Sequence, residues 1–150
     1  MDERERLMVR LDRAHEAMLA VLAGIEPGTA ANSQWSVKEV LAHLAGWDAC
    51  TRDAPRAHAA GAPPPLPARD GLDAYNARSV AERQGLGYAE TVEDWERTRK
   101  ELKQVLAEIP AEKLDEKMVF PWGPKGTVAR IVGIMAGHEE EHARELEAVK

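Results

Sequence analysis

TVARIVGIMAGHEEEHARELEAVK, from Thr127 to Lys150, is the stretch on which the fold turns. Its apolar positions, Val128, Ile131, Met135, Leu146 and Val149, recur every three or four residues and so share one face of a helix. His138 and His142 occupy the two positions missing from that stripe, one turn apart, and both are expected to point inward. Imidazoles turned into a core need partners, because an unpaired buried polar group is costly. A shared metal ion is one way to supply them.

Working back along the chain, KMVFPWGPKG is rich in turn formers and ends at Gly126, and Thr127 after it suits the N-cap of the last helix. The MVF within it is the one strand-like scrap, too short to count as an element. Another amphipathic helix precedes it, with Val92, Trp95, Leu102, Val105, Leu106 and Ile109 as its stripe, Thr91 and Asp94 at its start and Pro110 at its end. GAPPPLPARDG, Gly61 to Gly71, holds four prolines and two glycines and reads as an exposed connection. A short helix from about Leu72 follows it, carrying Tyr75 and Asn76 as candidates to face a cavity.

The second long helix opens with Ser36 and Glu39 in a capping box. Val37, Val40, Leu41 and Leu44 share its apolar face. His43 lies on the flank of that face, in line with Trp47 and Cys50, and a flank still reaches the core where a helix touches two neighbours. Asp48 falls nearer the middle of the face, either as an acceptor for an imidazole N–H or as a helix-end acid with a local partner. The first helix carries Leu7, Leu11, Ala14, Met18, Val21, Leu22 and Ile25 and is expected to stop at Pro27 and Gly28. His15 sits at the edge of its stripe and reads as a half-buried histidine bonded to a neighbour. His58 reads as a solvated residue suited to a helix C-terminus, and Cys50 as a buried thiol.

These elements make an all-α protein: a four-helix bundle over residues 1–150 as one domain, with a long Pro-rich connection and a short extra helix between helices 2 and 3. The chain has 150 residues, 44% hydrophobic and 31% charged, as expected of a globular domain with a core of its own. It has no apolar run of membrane-spanning length and no signal-peptide pattern in MDERERLMVR, so no membrane partner and a cytoplasmic location are expected. One cysteine excludes an internal disulfide and a Cys-rich zinc site. The net charge is −6 with the basic residues dispersed among acids, from which no nucleic-acid partner is expected.

HEEEH, His138 to His142, literally matches the zinc-protease pattern H-E-x-x-H, with Glu139 as the base. Only eight residues follow His142, and the extended pattern fails because Glu145 replaces its glycine and Ala148 its third histidine. A protease is therefore set aside.

A different resemblance is specific. WSVKEVLAHLAGWD, Trp35 to Asp48, resembles the second-helix motif of the DinB-like superfamily of metal-dependent enzymes (the DinB/DfsB-type bundle), and PWGPKGTVARIVGIMAGHEEEH, Pro121 to His142, resembles its last-helix motif. Order, length and helix plan agree over nearly the whole chain. The resemblance implies a metal site of one histidine on the second helix and two on the last: His43, His138 and His142. Three neutral imidazoles hold a divalent zinc, nickel, iron or manganese ion and leave coordination open. It also implies a small-molecule substrate and either a hydrolase or a transferase that uses a low-molecular-weight thiol. Glu139 and Asp48 are the candidate proton-transfer groups. The alternative is a non-catalytic bundle that binds a small molecule or a metal, or that dimerises. A homodimer is compatible with either, since small bundles pair by helix faces.

Overall fold

The computed structural model describes all 150 residues, and its long helices begin and end where their caps dictate. In α1 (Glu3–Leu22), Asp2 caps the N-terminus and Glu5 reaches back to it. In α2 (Val37–Ala60), Ser36 and Glu39 form the expected capping box, and Gly61, left-handed at φ 67°, closes the helix. After α3 (Leu72–Glu82) comes α4 (Tyr88–Glu108), one turn longer at its start than expected: Glu90 reaches back to the Gly87 amide at 3.1 Å, so Thr91 lies inside the first turn. In α6 (Val128–Val149), the Thr127 side chain accepts from the Arg130 amide at 3.2 Å.

Three further details differ from the sequence reading. First, α1 stops at Leu22, before Pro27, and the chain then turns through Ala23 and Gly24. Second, a five-residue helix, α5 (Ala111–Asp115), follows Pro110. Third, MVF is not idle: β1 (Lys117–Val119) pairs antiparallel with β2 (Lys125–Thr127), Met118 opposite Gly126. Phe120 folds over Gly126, where a Cβ would come within 2.3 Å of the ring, so only glycine fits. The three-residue strands are too short for alternation to show in sequence.

Around the bundle α1 packs on α6 and α4, and α2 on α4 and α6, with α3 laid against α2. The expected four-helix bundle is thus present, with α3, α5 and the hairpin as additions. Leu11, Leu102, Leu106 and Ile131 fill one half of the core, and Met18, Val40, Leu41 and Leu146 the other. Gly46 lets α3 approach: a Cβ there would sit 2.5 Å from that of Ser79. No helix is long and apolar enough to cross a membrane.

Candidate metal centre

Two helices supply the central residues. His43 from α2 is buried, and His138 and His142 from α6 are half-buried. The Nε2 of His138 lies 3.0 Å from that of His43 and 3.1 Å from that of His142. Nδ1 of His142 is 3.1 Å from Glu145 Oε1, an acceptor three residues on. Trp35, held by the loop before α2, lays its ring against His43 at a centroid distance of 4.6 Å.

Hydrogen bonding alone leaves this cluster unsatisfied. The His138 Nε2 faces two other ring nitrogens, but it carries either one hydrogen or one lone pair. Whichever tautomers are chosen, one of the two contacts has no hydrogen bond. Protonation is opposed: burial, with the other imidazoles adding to it, lowers His43 to about 3 and His138 to about 4. A cation among the three nitrogens would receive a lone pair from each, and these donor atoms lie within 4.8 Å of one another. The donor set therefore fits a divalent ion of the kind imidazole favours.

A cavity of about 520 Å³ opens beside His43 and His138. Trp47, Trp122, Leu72 and Met135 form its apolar walls. Asn76 reaches it from α3, its Oδ1 accepting from Trp47 Nε1 at 2.7 Å. The α6 side is lined by Gly133 and Gly137. A Cβ at Gly133 would meet nothing within 4 Å, and one at Gly137 only Arg10 Nη2 at 3.6 Å. Core packing does not require either glycine, yet each costs the helix roughly 1 kcal/mol relative to alanine.

Glu139 and Asp48, the candidate proton-transfer groups, are directed elsewhere. Glu139 is fully buried, with Oε1 accepting from Trp95 Nε1 at 2.9 Å and Oε2 lying 2.8 Å from Arg99 Nη2. Asp48 flanks the same guanidinium, with Oδ2 3.3 Å from Arg99 Nε. Arg99 also donates to the Leu11 carbonyl at 3.1 Å, tying α4 to α1. Burial raises both carboxyls above the usual range while the guanidinium opposes the rise. Neither acid lines the cavity.

The other candidates are placed as follows. Tyr75 donates to the Gly46 carbonyl at 2.5 Å and so anchors α3 on α2, leaving Asn76 as the member of that pair that faces the cavity. Cys50 is buried, its Sγ donates to the Trp47 carbonyl, and burial pushes its thiol up to about 12. His15 stacks on Trp95 at 4.2 Å, with its pKa lowered to about 4 by burial and then by Arg99. His58 is not solvated: it is half-buried, 3.3 Å from the Lys113 carbonyl, because α5 folds back over the end of α2. The sequence reading gives no site role to Arg99, Trp35 or Trp122, and it weighs Glu145 only against the protease pattern. Arg99 and Glu145 had a visible signal, the first as a charge within the α4 stripe and the second as an acid three residues after a histidine.

Residues 10–146 match the DinB superfamily, and the chain belongs to it. Solved structures place that fold in company. An uncharacterised protein from Escherichia coli UTI89 superposes with a TM-score of 0.81 at 17% identity, over 97% of this chain and 91% of its own. The mycothiol-dependent maleylpyruvate isomerase gives 0.82 at 15% identity, over 97% of this chain and 61% of its own, so this chain spans less than two thirds of the isomerase. The colibactin self-resistance protein ClbS, solved in complex with a dsDNA, gives 0.80 at 16% identity, over 97% and 94%. At such identities the likeness fixes the fold alone. No curated protein matches the chain.

The ClbS complex corrects one expectation. The expectation of no nucleic-acid partner rests on the net charge and on basic residues dispersed along the sequence, yet a protein of this fold is solved on duplex DNA. Net charge sums the whole surface, whereas contact with a duplex depends on a local set of groups.

Proposed function

We propose that the protein is a metal-dependent enzyme that acts on a small molecule, with a divalent ion held by His43, His138 and His142. The observation that carries this reading is the convergence of three ring nitrogens, which hydrogen bonding cannot satisfy, at the edge of a cavity. A divalent ion on three imidazoles lowers the pKa of a bound water or thiol and polarises an electrophile, the chemistry shared by hydrolases and thiol-dependent transferases.

The chain's own residues do the rest. Glu145 accepts from His142 Nδ1–H, which directs the Nε2 of that ring at the site. Trp35 fixes the plane of His43. Trp47 and Trp122 exclude water from one side of the cavity, and Asn76 is held by Trp47 in position to orient a polar group of the substrate. The Arg99 cluster braces α2 and α6 from behind, so that His43 and His138 meet.

The thiol branch is supported by the isomerase neighbour, whose name records mycothiol dependence. The reading predicts near-stoichiometric metal in untagged protein by elemental mass spectrometry and its loss in His142→Ala, with helical circular dichroism retained. Thiol-transfer and hydrolytic substrates then separate the two chemistries. Metal content unchanged in the variant would show the ligand set to be wrong. Because ClbS is solved on dsDNA, duplex DNA is also a candidate partner, tested by fluorescence anisotropy across a salt series.

A further inference from the structure

The cavity beside the imidazoles has a definite chemistry. None of its eleven lining residues is Lys or Arg, and Glu141 places a carboxylate at its exposed rim. Trp47 and Trp122, edge to face at 5.9 Å, both line it. The α6 wall at Gly133 and Gly137 is bare backbone, next to space that a side chain would fill without a clash. Asn76 spends its oxygen on Trp47, so its amide N–H groups are what it offers. His43, only 3% exposed, closes the inner end.

We infer that this cavity takes a ligand whose body, beyond any atom that reaches the imidazoles, is planar, apolar and uncharged or cationic, and that Glu141 and Gly133 set this choice. The inference deepens the proposed function and rests on it. A flat ring fits against the bare α6 backbone opposite two indoles. A positive group at the rim gains from both the indole faces and Glu141. An anionic group there meets a carboxylate, and the one guanidinium near the α6 wall, that of Arg10 beside Gly137, is already paired with Glu140, so the site discriminates by repulsion as well as by fit.

The test is isothermal titration calorimetry of the full chain after chelation, which removes any metal's own pull on anions. The probes share one ring system: 2-naphthylmethylamine, 2-naphthylmethanol and 2-naphthoate. The amine and the alcohol are each expected to bind at least tenfold tighter than the carboxylate. Glu141→Lys is expected to reverse the order of amine and carboxylate. Gly133→Leu, which fills the cavity, is expected to weaken the amine and the alcohol at least tenfold with circular dichroism unchanged. Carboxylate binding as tight as the amine, no binding by any probe, or a folded Gly133→Leu that binds as wild type would each overturn the inference. Metal content of the protein as purified is read separately. A metal-free protein that still ranks the probes as expected would remove the proposed metal chemistry and keep the pocket.

Discussion

Two buried polar clusters lie on the same pair of helices and are built in opposite ways. His43 and Asp48 are five residues apart on α2, and His138 and Glu139 are adjacent on α6, yet the histidines meet beside a cavity and the acids meet on Arg99. Both acids gain the Arg99 cation, which itself donates to the Leu11 carbonyl, and Glu139 also accepts from the Trp95 indole. Among the histidines one nitrogen contact has no hydrogen bond whatever the tautomers. The polar groups that hold the bundle together are matched in charge by other protein groups, with Asp48 Oδ2 and Glu139 Oε2 meeting Arg99 as ion pairs without hydrogen bonds. Those beside the cavity are left wanting something the chain does not supply.

If that division holds, the most damaging substitution falls on the compensated side. Arg99→Met strands two carboxyls in the core and is expected to cost about 3–5 kcal/mol, read as a lower urea midpoint at unchanged m-value. Replacing Asp48 and Glu139 with apolar residues in the same chain should recover most of that loss.

Next comes the packing that positions Asn76. Gly46→Ala drives a methyl to 2.3 Å from Ser79 Oγ, and overpacking of this kind costs about 1–3 kcal/mol. Ser79→Gly in the same chain should restore stability; if it does not, the close approach of α3 is not what Gly46 serves.

A smaller effect is expected from His15, whose folded pKa of about 4 lies below the ordinary histidine value of 6.5 because the ring is buried. The unfolded chain takes up a proton at this residue first as pH falls, so stability drops between about pH 6.5 and 4 and is unaffected by His15 above that window. His15→Gln should flatten that part of a stability–pH curve measured by urea titration, and an unchanged slope would assign the acid sensitivity elsewhere.

The smallest effect on stability belongs to the uncompensated side. Chelated His138→Ala is expected to stay within about 1 kcal/mol of chelated wild type, since it removes a frustrated contact and gains helix propensity. The same variant should hold no metal by elemental mass spectrometry. A large loss of stability there would make the histidines structural and erase the contrast.

The helices that carry both clusters were legible because their caps and stripes are local: Ser36 with Glu39, Thr127, and the three-and-four spacing that placed His138 and His142 inward. The flank position of His43 was legible for the same reason. The direction of Glu139 and Asp48 was not, since a helical wheel gives a side but not the neighbour on that side, and the deciding neighbour is Arg99, 40 positions before Glu139. Arg99 interrupts the stripe between Trp95 and Leu102, so a charge in an apolar register was the available clue. The hairpin and α5 were hidden because three to five residues carry no period. The partner expectation failed differently, through a property summed over the whole chain standing in for a local surface.

The hairpin carries one last consequence. Thr127 is both the final residue of β2 and the cap of α6, with no spacer between strand and helix. The pairing of Lys117 with Thr127 therefore works as an indexing pin for the rotational phase of α6. Inserting one residue after Thr127 would turn everything beyond it by about 100°, carrying His138 and His142 away from His43. The Gly61–Gly71 connection, expected to be exposed, is pinned in its second half, where Ala68 is buried beside Trp47 and Tyr75 and its amide donates to the Pro121 carbonyl at 3.1 Å; its exposed first half, Ala62 to Pro64, has no such gearing. Length variation should be tolerated in that exposed half and forbidden at this joint, so insertions scanned along the chain would find the site's most sensitive point at Thr127, eleven positions before its nearest histidine.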